Sequence, residues 1–255
     1  MLSSIADFTS LPPESLLICG GVAFIAGIVR GFAGFALSAL LMAGLVSVIP
    51  PVQLIPICVL MEAVASIAMF RGGLRDADMT IVWGLAIGTV IGTPIGLLAT
   101  TTLDIDVSKT IALIIIIALT VAQIFKFKPR FVETKTGLYG SGITSGVVGG
   151  LAAVGGMVVA LYVLAKDAEA KTMRGSLVMY LIFSVLTMLV FLLVYEMLDM
   201  RAIRRALFIA PLVVIGVFLG GLLFRPSLIG FYRRFCLFLL LFLSSFGLVR
   251  LFWFG

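Results

Sequence analysis

The sequence Gly27-Ile-Val-Arg-Gly-Phe-Ala-Gly-Phe35 lies in the middle of the first long apolar segment, Ser15–Val48. A single helix of that length would measure roughly 51 Å at 1.5 Å per residue, whereas a bilayer has a hydrocarbon core of about 30 Å. Gly31 and Gly34 interrupt the segment near its middle. The stretch therefore predicts two half-helices joined by non-helical backbone.

A second long segment, Gly137–Ala165, is interrupted in the same way by Gly149-Gly150 and Gly155-Gly156. Gly27–Phe35 aligns with Gly146–Val154 at an offset of 119 residues, and four of the nine positions are identical. The similarity of the two interrupted segments indicates an internal repeat.

The composition places both segments in a membrane protein. Hydrophobic residues make up 62% of the 255 residues and charged residues only 12%, against about 25% charge in soluble domains. The apolar residues form long unbroken runs, which predict helices rather than the alternating strands of an outer-membrane barrel. Eight apolar segments are predicted: Ser15–Val48, Leu54–Phe70, Met79–Thr101, Lys109–Phe125, Gly137–Ala165, Gly175–Tyr195, Ala202–Phe224 and Phe235–Phe254.

Charge and cysteine content exclude several functions. The net charge of +6 arises from Lys and Arg between the apolar segments, where they orient a membrane protein, so no nucleic-acid partner is predicted. The chain has no His, and its cysteines Cys19, Cys58 and Cys236 are scattered. No metal site, cofactor or enzymatic activity is therefore predicted.

The positive-inside rule distinguishes two topologies. If the two interrupted segments are re-entrant hairpins, twelve of the flanking Lys and Arg residues lie on one side of the membrane and five on the other. If all eight segments cross, the division is ten against seven. The first model is preferred, and it predicts a bacterial inner-membrane protein with both termini on the periplasmic side.

In this model each half of the chain is a re-entrant hairpin followed by three transmembrane helices. Three crossings are an odd number, so the halves are predicted to be inverted repeats. The first repeat covers residues 1–126, a basic linker covers 127–136, and the second repeat covers 137–255.

A glycine ridge runs along the third apolar segment, with Gly84, Gly88, Gly92 and Gly96 at every fourth position. Such a ridge allows another helix to approach closely. The second half contains a similar sequence, since Ile87-Gly88-x3-Gly92 resembles Ile215-Gly216-x3-Gly220. Pro94 lies within the ridge and predicts a kink, which serves either packing or a hinge.

Arg30 and Glu62 are the two ionisable residues deep within apolar segments, where such residues are costly and mark functional sites. Arg30 immediately precedes the first break, so its guanidinium and the N–H groups of the next half-helix favour an anion. The alternative is that Arg30 forms a structural ion pair with Glu62. Glu62 is predicted either to carry a proton or to neutralise the charge of Arg30.

Glycines and hydroxyls at the two breaks complete the predicted anion site, because glycine lets the backbone approach a ligand closely. The alternative for each hydroxyl is a hydrogen bond between two helices, which is the more frequent role of such groups. The candidate substrate-binding residues are Arg30, Gly31, Phe32, Gly34, Ser38, Ser145, Gly149, Gly150, Gly155 and Gly156.

These interrupted segments, together with the stretch Ile91-Gly-Thr-Pro-Ile-Gly96, resemble the TauE/SafE sulfite exporter family, also called toluene sulfonate uptake permeases. The resemblance extends over Ser15–Phe254. It implies transport of a small sulfur-containing anion, such as sulfite or an organosulfonate like sulfoacetate, across the bacterial inner membrane.

The predicted function is therefore a secondary transporter that exports a sulfur-containing anion. Its predicted partners are the substrate and the lipid bilayer, and the sequence is compatible with a homo-oligomer. The alternatives are an anion channel, an uptake permease coupled to protons or sodium, and a membrane scaffold without transport.

Overall fold

A computed structural model describes residues 8–127, 134–165, 169–223 and 229–254. Within these ranges the chain is all-α and forms no strand, which confirms the prediction of an all-helical protein. The principal helices are α1 Pro13–Ala33, α2 Leu37–Leu45, α3 Pro51–Asp76, α4 Met79–Thr102, α5 Ile105–Ile124, α6 Lys135–Ala152, α7 Gly155–Ala165, α8 Ala170–Val194, α9 Met200–Leu223 and α10 Ile229–Phe254. Most of the predicted basic linker, residues 128–133, lies outside the described residues.

Each predicted apolar segment contains one helix, or two where the segment is long. Several helices extend beyond the predicted bounds: α3 continues to Asp76 rather than Phe70, and α10 begins at Ile229 rather than Phe235. Arg and Leu favour helix almost as well as Ala does, so the helix continues after the hydropathy falls. Among the described helices, α1, α3, α4, α5, α8, α9 and α10 are long and apolar enough to cross a membrane.

The first interrupted segment breaks later than predicted. Gly31 is helical, and α1 ends only at Gly34, which has a φ of 79°. Ala36 also has a positive φ, of 74°, before α2 begins. The prediction of two helices joined by non-helical backbone is confirmed, but the two are unequal, since α1 has 21 residues and α2 has nine. Gly31 does not interrupt α1 because it packs against another helix, whereas Gly34 can adopt the left-handed conformation that ends a helix.

The helix α2 turns back along α1. A Cβ atom at Gly44 would lie 2.8 Å from the side chain of Val22, about halfway along α1. Arg205 donates hydrogen bonds to the Thr9 carbonyl, just before α1, and to Gln53 Oε1 at the start of α3. Because α2 leads directly into α3, the hairpin of α1 and α2 begins and ends at the N-terminal end of α3.

The second interrupted segment forms a hairpin of α6 and α7. Its break is Ala153-Val154 rather than the predicted glycine pairs, since Gly149 and Gly150 are helical and Gly155 begins α7. The Ser145 hydroxyl donates to the Gly155 carbonyl at 2.7 Å, which holds α7 against α6.

This second hairpin opens at the other end of the bundle. Leu138, near the start of α6, faces Gly84 near the start of α4, and Tyr162 of α7 interacts electrostatically with Asp78, the residue before α4. Because α4 follows the C-terminal end of α3, the two hairpins open at opposite ends of α3.

Two seams of glycine join helices from different halves of the chain. A Cβ atom at Gly88 would meet the backbone of α6 at Tyr139, Gly142 and Ile143, and Gly92 and Gly96 also face α6 backbone, which confirms the predicted close approach. In the second seam, α1 packs against α9, where Gly27 faces Gly216.

Each seam brings glycines of two helices face to face. Gly31 faces Gly220, and Gly150 faces Gly96. The similar sequences Gly88-x3-Gly92 and Gly216-x3-Gly220 both lie in these seams.

Candidate functional site

A small cavity lies where the tips of the two hairpins meet. Its volume is about 40 Å³, enough for roughly three water molecules. Its lining comes from both hairpin tips and from the middle of α3 and α8: Ala36, Ser38, Ala39, Val59, Glu62, Gly149, Ala153, Val154, Gly155, Gly156, Met157, Leu181, Ser184, Val185 and Met188. The cavity therefore has two hydroxyls, one carboxylate and many backbone groups, in an otherwise apolar wall.

Ser38 and Glu62 form the polar side of this cavity. Ser38 is the second residue of α2, so its N–H is one of the free donors at a helix N-terminus. Glu62 Oε1 accepts from this N–H at 3.2 Å and from the Ser38 hydroxyl at 2.9 Å. Both residues are largely buried, at 5% and 6% exposure. The start of α2 thus binds a carboxylate that belongs to the protein.

Arg30 lies behind Glu62 and does not line the cavity. Its side chain is fully buried, and it donates to the Gly34 carbonyl at the end of α1 and to the Ser66 hydroxyl at 3.0 Å. One guanidinium nitrogen lies 3.3 Å from Glu62 Oε2. The predicted pairing of Arg30 with Glu62 is confirmed, and Arg30 also fixes the break by binding Gly34.

A second arginine, Arg174 at the start of α8, was not singled out by the sequence. It donates to the Gly31 carbonyl at 2.6 Å, and its side chain covers Gly34. In the sequence it belongs to the basic residues that set topology, and no local pattern distinguishes it from them. Its contacts place a second positive charge close to Arg30 at the end of α1.

Buried hydroxyl groups stabilise the second hairpin, whereas the charged side chain of Arg30 stabilises the first. The Tyr180 hydroxyl lies 2.7 Å from Ser145 Oγ and 2.8 Å from Thr89 Oγ1, and it also hydrogen-bonds Ser184 of the cavity wall. Ser145 in turn donates to the Gly155 carbonyl. This cluster links α4, α6, α7 and α8 without any charged group.

Replacing Tyr180 by phenylalanine is expected to lower the free energy of unfolding by about 1 kcal/mol, because the Tyr180 hydroxyl joins Ser145 to Thr89. Unfolding of the purified protein by denaturant in detergent measures the change. Tyr139→Phe is the matched control, since Tyr139 is 44% exposed. Equal stabilities of the two variants would contradict a supporting role for the cluster.

The structure brings some of the predicted site residues together at the cavity and places others behind it. Ser38, Glu62, Gly149, Gly155 and Gly156 line the cavity. Gly31 and Gly150 lie in the two helix seams, and the ring of Phe32 packs on Tyr232 at 4.7 Å. Gly34 accepts the Arg30 hydrogen bond, and Ser145 belongs to the hydroxyl cluster.

Pro94 lies inside α4, which continues through it. The Tyr195 hydroxyl of the α8 C-cap donates to the Pro94 carbonyl at 3.3 Å. This contact joins α4 to the C-terminal end of α8.

Groups of acidic, His or Cys side chains able to hold a metal ion do not occur among the described residues. The polar side chains of the cavity are the hydroxyls of Ser38 and Ser184 and the carboxylate of Glu62, which is itself paired with Arg30.

Seven helices of the described residues are long and apolar enough to cross a membrane, which defines a multi-pass membrane protein. Residues 19–247 match the sequence model of the sulfite exporter TauE/SafE family, which confirms the resemblance seen in the sequence. The chain belongs to this family of membrane transporters of sulfur-containing anions. Neither a curated protein nor a solved structure matches the chain.

Proposed function

We propose that this protein is a secondary transporter that exports a small sulfur-containing anion, such as sulfite, through the cavity between the hairpin tips. The observation that carries the proposal is the cavity itself, where the N–H and hydroxyl of Ser38 at the start of α2 meet the glycine-rich tip formed by Gly149, Gly155 and Gly156. Such N–H groups bind oxyanions without any further cation.

The small volume of the cavity favours an inorganic oxyanion over a bulky organosulfonate. About 40 Å³ accommodates a group of a few heavy atoms, whereas an aromatic sulfonate would need the hairpin tips to move apart. The predicted binding residues that do not line the cavity then act indirectly: Arg30 and Gly34 hold the first tip, and Ser145 holds the second.

The proposed architecture is a pair of inverted repeats, residues 1–126 and 137–255. In support, the two hairpins open at opposite ends of α3, and each packs through glycines on a helix of the other half. Alternating access in such transporters moves one repeat against the other around a site near the membrane midplane. Pro94 and its contact with Tyr195 are proposed as a hinge between these states.

Export is the proposed direction, in a bacterial inner membrane with both termini on the periplasmic side. Moving a dianion outward across an inside-negative potential of about 100 mV releases roughly 4.6 kcal/mol, so export needs no external energy source. Uptake would require coupling to protons or sodium.

Sulfite is expected to raise the melting temperature of the purified protein in a concentration-dependent way, because a ligand that binds only the folded state stabilises it by mass action. Ser38→Ala is expected to weaken this binding about tenfold, since it removes one hydrogen bond to the anion. Ser244→Ala is the control, because Ser244 is buried but donates only to Leu240 of its own helix.

Efflux from liposomes separates a carrier from a channel. A carrier shows saturation and counterflow of labelled sulfite, whereas a channel shows neither. If neither sulfite, sulfate, thiosulfate nor sulfoacetate stabilises the wild-type protein or crosses the liposome membrane, the proposed function is wrong.

A further inference from the structure

The carboxylate of Glu62 occupies the position that an anion would take at the start of α2. Its Oε1 accepts both available donors of Ser38, the N–H at 3.2 Å and the hydroxyl at 2.9 Å. A helix N-terminus binds anions through such free N–H groups and its partial positive charge. In this conformation the donors at the hairpin tip are therefore engaged by a negative group of the protein itself.

The other carboxylate oxygen makes an incomplete set of interactions. Glu62 Oε2 lies 3.3 Å from the guanidinium of Arg30, but it accepts no hydrogen bond from the described residues and is buried. Buried ion pairs that serve only stability need further hydrogen bonds to offset the loss of water. Oε2 therefore has the ion pair with Arg30 as its contact among the described residues, and it belongs to a residue of the cavity wall.

The surroundings of Glu62 contain few other ionisable groups. Arg30 approaches from α1, the Cys58 thiol lies one turn earlier on α3 itself, and Ser38 approaches from α2. The α6, α7 and α8 residues that line the cavity carry no ionisable side chain, Ser184 being the one hydroxyl among them. Arg174 of α8 lies beyond Arg30, near enough to repel it electrostatically, with Asp76 close to Arg174.

An ionised Glu62 and a bound oxyanion compete for the same donors. In a cavity of about 40 Å³, both negative groups would lie close together in an environment of low dielectric constant. Protonation removes this repulsion, since a protonated carboxyl is neutral and presents an O–H donor of its own. The Ser38 donors are then free to bind the anion, and the positive charge of Arg30 behind them is no longer neutralised by a carboxylate.

We propose that Glu62 substitutes for the transported anion: its ionised carboxylate holds the Ser38 donors and Arg30, and on protonation it releases them, so that one proton binds with each anion. The inference rests on the proposed function and adds its coupling ion. Proton and anion move in the same direction, so a dianion carries one net negative charge across the membrane rather than two.

The pH dependence of anion binding tests this proposal. Thiosulfate is the probe, because its own charge does not change near neutral pH, and its affinity is measured by thermal shift on the purified full-length protein. The wild-type protein is expected to bind about tenfold more tightly for each unit by which the pH is lowered, because one proton is taken up with each anion. In Glu62→Gln the affinity is expected to be independent of pH.

Asp106→Asn is the matched control, because it makes the same chemical change at an exposed carboxylate paired with Lys109. This variant is expected to keep the wild-type pH dependence. If Glu62→Gln fails to fold, the wild-type protein alone decides the test: an affinity that does not change with pH overturns the proposal.

Proton flux in liposomes provides the second measurement. A thiosulfate gradient is expected to drive protons across the membrane with the wild-type protein, about one proton per anion, and to drive none with Glu62→Gln. Thiosulfate transport without proton movement would overturn the coupling while leaving the proposed function intact. Absence of binding and transport of every sulfur anion tested would refute the proposed function and this inference together.

Discussion

Replacing Arg30 by methionine is expected to lower the free energy of unfolding by about 3–5 kcal/mol, because it leaves the carboxylate of Glu62 buried without its positive partner. The guanidinium also holds the carbonyl of Gly34 and the hydroxyl of Ser66, so both lose a buried donor. The end of α1 is expected to loosen, and anion transport to be lost with it. Denaturant unfolding in detergent measures the stability, and liposome efflux measures the transport.

Two further variants show whether the loss arises from the uncompensated charge. The double variant Arg30→Met/Glu62→Gln is expected to recover about 1–3 kcal/mol, since neither charge is then buried alone. Arg201→Met is the control, because Arg201 forms an ion pair with Asp199 in which both side chains are partly exposed, and we expect its stability to change by less than about 0.5 kcal/mol. A double variant as unstable as Arg30→Met would assign the loss to the Gly34 and Ser66 hydrogen bonds instead.

Replacing Gly220 by alanine is expected to cost about 2–3 kcal/mol, at the upper part of the range for overpacked sites. The added Cβ would meet the Ile28 carbonyl and lie 3.0 Å from the Cα of Gly31, so two helix backbones must separate. A side chain could rotate away from such a contact, but a backbone cannot. Denaturant unfolding of the purified variant measures the cost.

The neighbouring glycine provides a control on the same turn of α9. A Cβ atom at Gly221 would meet no atom within 4 Å. Gly221→Ala is therefore expected to leave stability unchanged or to raise it by up to about 1 kcal/mol, as alanine favours helix more than glycine does. If Gly220→Ala is as stable as Gly221→Ala, the contact between α1 and α9 tolerates the added methyl group.

The sequence predicts the features that depend on rare residues or on short-range spacing. Arg30 and Glu62 stand out because a charge is costly within an apolar segment, and their pairing is one of the two alternatives that the sequence leaves open. The ridge of Gly88 and Gly92 predicts a close helix contact because residues four apart share one face of a helix.

Features that depend on the tertiary fold are not encoded in any local pattern. Glycine both breaks helices and permits close packing, so the sequence could not tell that Gly31 packs while Gly34 ends the helix. The break at Ala153 carries no glycine, and only its position opposite Gly34 in the alignment of the two segments indicates it. Tyr180 and Arg174 likewise acquire their partners only through contacts distant in sequence.

The two glycine seams are crossed, since α1 of the first half packs on α9 of the second, while α6 of the second half packs on α4 of the first. During synthesis, the first 126 residues therefore enter the membrane with the glycine faces of α1 and α4 in contact with lipid. Neither face finds its partner until the ribosome has made α6 and then α9. Assembly is consequently completed by the C-terminal half. A truncated first half cannot form the cavity, because ten of its fifteen lining residues have not yet been translated.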